Sequence, residues 1–389
     1  MNYILFDDNK LVQNLLPLTY TRPISEIRLG ILSIKEKWEK LLGHEVSYLC
    51  QDYLQAKFPL KTEAENIYIN SSILPSRQLI FHIQNLNKSE CLFFQDTWIA
   101  AKAEPTEKFE DLKKVDCPTG VLQIKNLWDI FVLNKASIKA DFELLTQNRQ
   151  SAKLSNTNQV INPERVFCES GASVECAILN PTDGYIYIGK NAQIMEGAVL
   201  RGSVALCEHA VVKVNAKIYG STSIGRFSKI GGEVADAVIF GYSNKGHEGF
   251  LGNSILGEWC NLGAGTNTSN LKNTYNKVRL WNYAEKRFAD TKQQFCGLIM
   301  GDHSKCGINT MFNTGTVVGV GCNIFGAGFP RNFIPSFAEG GAFGFKQQRF
   351  ERFLKTAEQV MKRREKKLNN TEIAMLKHVF SLSEMYRNF

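Results

Sequence analysis

From Ile188 onward, every sixth residue is aliphatic for eight steps: Ile188, Ile194, Leu200, Leu206, Val212, Ile218, Ile224 and Ile230. Helices repeat every 3.6 residues and strands every two, so neither accounts for this interval. A three-sided parallel coil does: each hexapeptide makes one short flat side and sends one aliphatic side chain into the prism. Gly189, Gly225 and Gly231 directly follow their aliphatics, and residues this small let the backbone turn a tight corner. The pattern returns out of phase at Leu256 and Leu262, and again at Met300, Cys306, Phe312, Val318 and Ile324. Over 185–335 the residues therefore predict a triangular β-solenoid. Two phase breaks, near 236–250 and 267–296, read as loops leaving the coil. Loops on a rigid scaffold are where chemistry collects, and the first break contains His247.

The rest of the 389 residues exceeds what one core accommodates, so a second domain is expected. Residues 1–150 alternate short apolar runs with helical patterns, which implies an α/β layer. NYILF (2–6), VSYL (46–49), NIYIN (66–70) and ECLFFQD (90–96) read as strands. Ile24, Ile27, Ile31, Ile34, Trp38 and Leu41 are spaced for one helix face, with Pro23 before it and Gly43 as its cap. Residues 126–148 read as a further helix. Residues 151–184 form a polar linker and first coil, and 336–389 a helical end.

The ten cysteines include no C-x-x-C pair, and a chain of this size does not need disulfides. The N-terminus lacks a basic region and a long apolar run, so no signal peptide is expected. No apolar run approaches the roughly 20 residues of a membrane span. These features predict a cytoplasmic enzyme that binds no membrane. The net charge is +8, much of it in KTAEQVMKRREKK (355–367). No aromatic-basic motif accompanies that run, so nucleic acid is not expected as a partner. A solvated face is the plainer reading; a contact with coenzyme phosphates is the other.

Three histidines fall in the solenoid. His209, His247 and His303 are 38 and 56 residues apart, a poor spacing for zinc unless the site assembles between subunits. His247 instead sits among glycines and asparagines, in SNKGHEGFLGNSILGEWCNLGAGTNTSN (243–270). An imidazole suits proton removal from an amine attacking a thioester near neutral pH. Backbone N–H groups in 246–249 or 262–265 can meet the oxyanion, and the asparagines can meet sugar hydroxyls.

That run resembles the acetyltransferase core of the bifunctional UDP-N-acetylglucosamine diphosphorylase/glucosamine-1-phosphate N-acetyltransferase family. The resemblance implies a left-handed parallel β-helix working as a homotrimer, with His247 as the base. It places Asn261 and Asn270 on sugar-contacting positions, and Lys213 and Lys277 on basic positions toward the sugar phosphate. Ala264, Ile308 and Ala327 fall on acetyl-CoA-facing positions. Phe250 stands where the family often has tyrosine. Gly231 stands where a further basic contact falls, and Lys229 is the nearby replacement.

The N-terminal part resembles the Rossmann-like sugar-phosphate nucleotidyltransferases through LLPLTYTRPISEIRLG (15–30). FDDNKLVQN (6–14) replaces their glycine-rich loop, whose backbone N–H groups cradle a triphosphate. Pro23-Ile24 replaces their proline-lysine pair, leaving Arg22 or Arg28 to supply positive charge. In INSSILP (69–75), Asn70 stands where they carry a Mg²⁺-binding aspartate, and an amide is a weaker ligand than a carboxylate. The metal ligands are otherwise undetermined.

Three readings follow. One is a bifunctional enzyme acting on acetyl-CoA, glucosamine 1-phosphate, and UTP or another nucleoside triphosphate, with Mg²⁺ for the nucleotidyl step. The second is an acetyltransferase whose N-terminal domain only binds a nucleotide or sugar. The third is a non-enzymatic trimeric scaffold.

Overall fold

A computed structural model describes residues 1–389, which divide into two units. The first comprises Met1–Leu15, Thr21–Ile27 and Leu32–Asp129, and the second Leu16–Tyr20, Arg28–Ile31 and Ile130–Phe389.

In the first unit, Asn2–Phe6 lies between Val46–Leu49 and Asn66–Asn70, all three parallel. Burial on both sides explains why NYILF is a continuous apolar run rather than an alternating one. Thr97–Ala103 adds antiparallel to Asn66–Asn70, followed by Glu90–Phe94 and then Lys113–Asp116.

The helix expected to begin near Ile24 begins only at Ile34 and ends at Leu42. Ser33 starts it with a reciprocal cap: its Oγ accepts from the Glu36 N–H at 3.2 Å, and the Glu36 carboxylate accepts from the Ser33 N–H at 2.6 Å. Gly43, at φ +70°, closes it as read from the sequence. Upstream, Ile24–Glu26 makes one 3₁₀ turn and Gly30 takes φ +85°. Ile24, Ile27 and Ile31 are buried from irregular backbone, so helical spacing alone misread them.

The solenoid in the second unit has three faces. One runs in nine parallel strands from Val166–Cys168 to Phe333–Ile334, and its inward column reads Cys168, Ile188, Leu206, Ile224, Ile239, Leu256, Met300, Val318, Ile334. A second face runs from Ser173–Val174 to Ala338–Gly341, with Gly344–Gln347 added antiparallel. The third runs from Gln159–Val160 to Phe250–Gly252, and Asn267–Thr268 then pairs with Met311–Phe312. The eight residues of the six-residue series are buried within one cluster. A Cβ on Gly225 would lie 1.4 Å from the Phe240 carbonyl oxygen, which is why a glycine follows that aliphatic.

The two phase breaks have different causes. The later one is a true excursion, carrying the hairpin Arg279–Asn282/Arg287–Asp290. The earlier one is no loop. Between Ile230 and Val234 a corner loses two residues, the next loses one before Ile239, and stacking continues through Lys245 and Leu251. His247 consequently sits on a corner of the coil, between Asn244–Lys245 and Phe250–Gly252.

Helix Asn134–Thr146 is seated on the coil by Asn134, whose Nδ2 donates to the Ser221 carbonyl at 2.8 Å. Helices Phe350–Lys362 and Asn370–Leu382 end the chain. No helix is long and apolar enough to cross a membrane.

Candidate functional site

Strand register turns scattered sequence positions into columns. On the second face, the outward residues Lys229, Asn244, Asn261 and Lys305 follow one another on adjacent strands. Neighbouring parallel strands lie about 4.8 Å apart, so these four form one row of polar side chains. At the corner after this face, His247, Ala264 and Ile308 each stand two residues beyond an inward-facing residue: Lys245, Leu262 and Cys306. They therefore stack on successive coils.

The opposite corner of the same face carries left-handed residues His209, Phe227, Tyr242, Trp259 and His303. Their rings stack in sequence, with centroids 4.6, 5.3, 4.2 and 6.2 Å apart. Tyr242 and Trp259 pack against Met361, with Val360 and Leu368 alongside, and Phe353 meets His303 edge-on at 5.8 Å. Aromatic burial of this size is strong enough to seat a helix, and helix Phe350–Lys362 docks there.

Between these walls lies a cleft of about 650 Å³, lined by Lys213, Lys229, Asn244, His247, Asn261, Ala264, Lys305, Ile308, Arg363 and Arg364, among others. Six residues singled out from the sequence thus meet in one place: Lys213, Lys229, His247, Asn261, Ala264 and Ile308. His247 is exposed on the cleft wall, as an imidazole waiting for a substrate would be. The Ala264 carbonyl accepts from the Asn309 N–H at 2.7 Å, while the Gly263 and Gly265 N–H groups are taken up by Cys306 and Glu248.

The cleft is strongly cationic. Burial, then Arg364, Lys213 and Arg363, push the Lys229 ammonium below its usual value. Burial, then Arg363, does the same to the Arg364 guanidinium. Burial pushes Lys305 down to about 8, and its Nζ donates to the His303 carbonyl at 2.8 Å. Cations that repel one another across a concave surface make a site for anions. Sequence reasoning missed Asn244 and Lys305, and reached Arg363 and Arg364 only within the basic run 355–367, read first as a solvated face. The first two were readable from register, as residues immediately before an inward position. The arginines depend on how the helix docks.

Other expected site residues lie elsewhere. Asn270 is tied to Asn253, its Nδ2 donating to Oδ1 at 2.8 Å. Lys277 is exposed at the base of the excursion, and Ala327 is exposed beyond Asn323–Ile324. Arg28 is 9% exposed, with one guanidinium nitrogen donating to the Ile31 carbonyl and to Cys207 Sγ. Arg22 is buried in the first unit.

Asn70 ends the third parallel strand, but its amide is used internally. Nδ2 donates to the Trp98 carbonyl at 2.9 Å, and Oδ1 accepts from the N–H and Oγ of Ser72. Asp7, after the central strand, accepts from Ser71 Oγ and the Ile24 N–H, and burial pushes its carboxyl up to about 7. Mg²⁺ prefers free, ionised oxygen ligands, and neither residue supplies one. No group of three or more His, Cys, Asp or Glu is arranged to hold a metal.

Residues 3–150 match the family model for sugar nucleotidyl transferases. The bifunctional protein GlmU of Methanocaldococcus jannaschii is 33% identical over 113 residues, covering 29% of this chain and 26% of that protein. GlmU of Bartonella quintana is 24% identical over 256 residues, covering 63% of this chain and 49% of that one. A bifunctional sugar-1-phosphate nucleotidylyltransferase/acetyltransferase of Sulfurisphaera tokodaii is 28% identical over 162 residues, covering 41% and 39%. The chain thus spans between a quarter and a half of the length of these relatives. The chain therefore carries a match to the sugar nucleotidyl transferase model over residues 3–150, has a parallel solenoid in the residues that follow, and is similar over part of its length to proteins named as bifunctional transferases.

Proposed function

We propose that the solenoid cleft transfers acetyl from acetyl-CoA to the amine of an amino-sugar phosphate, glucosamine 1-phosphate. One observation carries this reading: an exposed imidazole, a row of amides and lysines, and two arginines line the same cleft. His247 takes the proton as the amine attacks the thioester carbonyl; the C–N bond forms, the C–S bond breaks, and the proton passes on to the leaving thiolate. Ala264 N–H is the donor for the oxyanion. Asn261 and Asn244 bond sugar hydroxyls, the cations hold phosphate, and Ile308 flanks the coenzyme. Asn270, Lys277 and Ala327 act in the same reaction where a neighbouring copy in a homotrimer completes the cleft. A cytoplasmic setting, where acetyl-CoA and nucleotides are abundant, suits it. Thiol release from acetyl-CoA, dependent on glucosamine 1-phosphate, tests the reading; no release from intact protein with this acceptor rejects it.

The same reading extends to uridylyl transfer by the first unit, from UTP to the acetylated sugar phosphate. A specific observation favours a narrower role for that unit, binding a nucleotide or sugar without turnover. Asn70 is internally bonded, and the buried Asp7 carboxyl, pushed up to about 7, already accepts from Ser71 and Ile24, so these strand ends do not fit a divalent cation. Pyrophosphate release from UTP and N-acetylglucosamine 1-phosphate separates the two.

A further inference from the structure

The inward column of the second face reads Val174, Ile194, Val212, Ile230, Lys245, Leu262, Cys306 and Ile324. One lysine occupies an otherwise apolar column, and it is 2% exposed. An aliphatic side chain of similar length would pack there without burying a charge, and such a replacement is often neutral or stabilising. Packing therefore gives no reason for Lys245.

Its hydrogen bonds do. The Lys245 Nζ donates to the Gly231 carbonyl at 3.0 Å and, by a short contact, to the His247 carbonyl. Ordinary corners of this coil close on themselves: Ala198 N–H donates to Met195, Ala216 to Lys213 and Thr266 to Gly263, at 3.2–3.3 Å. The corner after Ile230 is two residues short, and the one holding His247 runs Gly246-His247-Glu248-Gly249. At the first, the ammonium bonds the carbonyl that a turn N–H would otherwise take; at the second, it bonds the His247 carbonyl, the counterpart of the Ala264 carbonyl that accepts the Asn309 N–H of the next coil. A Cβ on Gly232 would lie 2.6 Å from the His247 carbonyl oxygen, so the two corners are pressed together with Lys245 beneath them.

We propose that Lys245 is a positioning residue: from inside the coil it fixes the peptide of His247, and so aims the imidazole into the cleft. The inference rests on the reading of His247 as the base. Glu248 and Cys306 favour the charged ammonium and Lys217 opposes it, while burial pushes it down to about 8. Lys217 is itself paired with Glu248 at 3.6 Å. Charge-assisted bonds are the stronger kind, so the grip weakens as the pH rises past 8.

The test uses the full chain with Lys245→Met and Lys245→Arg. The first readout needs no activity. It is amide hydrogen exchange at Gly231, Glu233 and Gly265, whose N–H groups bond the carbonyls of Lys245, Gly249 and Glu248. Exchange should quicken by about tenfold in Lys245→Met and stay near wild type in Lys245→Arg. The second readout is kinetic. For Lys245→Met, kcat should fall by about 10- to 100-fold, the scale of a misplaced reacting group, with the KM for acetyl-CoA within about twofold. Wild-type kcat should decline above pH 8, and Lys245→Arg should lack that limb.

Unchanged exchange and unchanged kcat in Lys245→Met overturn the proposal, and so does an alkaline limb that persists in Lys245→Arg. Quickened exchange with full kcat also overturns it, because the corner would then loosen without consequence. His247→Ala in the same assay shows whether the assignment of the base has failed instead. If Lys245→Met does not fold, the wild-type and Lys245→Arg pH profiles decide the matter.

Discussion

Arg364 reaches Asn244 from the C-terminal segment, one guanidinium nitrogen donating to Oδ1 at 3.1 Å. A residue read as part of a solvated basic run is thereby joined to the polar row of the cleft. Its neighbour Arg363 and the lysines Lys213 and Lys229 share the same space.

Arg364→Ala should weaken binding of phosphorylated ligands. Hydrogen bonds to charged groups contribute about 1.5–3 kcal/mol, which is roughly a 10- to 100-fold loss in affinity. Calorimetric titration with glucosamine 1-phosphate and with unphosphorylated glucosamine checks this. The loss should be confined to the phosphorylated sugar if the arginine meets the acceptor. If coenzyme A alone is affected, the arginine meets that ligand.

Removing the imidazole should separate chemistry from stability. His247→Ala should lower kcat by about 10²- to 10⁴-fold, the usual range for a general base. The residue is exposed on a corner, so thermal unfolding should be nearly unchanged, as for most surface substitutions. Near-normal turnover in this variant would dismiss His247 as the base.

Trp259 joins the aromatic stack to the C-terminal helix and is 7% exposed. Trp259→Ala should cost about 3–5 kcal/mol and free the helix from the coil. Limited proteolysis should then cut within 349–369 faster than in the native chain. An unaltered cleavage pattern would mean that other contacts hold the helix.

Asp7 makes the first unit sensitive to pH in a definite direction. Its carboxyl is raised from 3.8 to about 7 in the folded chain, so between those values the folded state holds a proton that the unfolded state has lost. Stability from this group is full below pH 4 and declines as the pH rises toward 7. About three units correspond to at most roughly 4 kcal/mol. The thermal midpoint of the first unit should drop between about pH 4 and 7 and level off above that, and Asp7→Asn should flatten that slope. An identical slope in the variant would assign the effect to other groups.

Much of this molecule could be read before its coordinates. The solenoid was legible because one buried side chain per six residues is a strict demand, and Ile188 through Ile230 satisfy it without exception. The core of the cleft was legible for the same reason: fixed register carries Asn261 and Ala264 to the coil beside that of His247. The break around His247 was misread because a shortened corner and an inserted loop disturb the period alike. The helix expected from Ile24 failed where Gly30 and the Ser33 cap overruled a valid apolar spacing. Arg363 and Arg364 were out of reach because their position depends on a stack of rings from five separate coils, which no local pattern announces.

The corner at Gly231-Gly232 is two residues short, yet each strand beyond it stays aligned with its partners. A turn can absorb a deletion that a strand would pass on to its whole length as a flipped face. Corners of this coil are thus the positions at which length can change while the interior order is kept. Libraries that vary corner length, rather than substitute strand residues, are the economical way to move the histidine relative to the amide row and to search for altered acceptor preference.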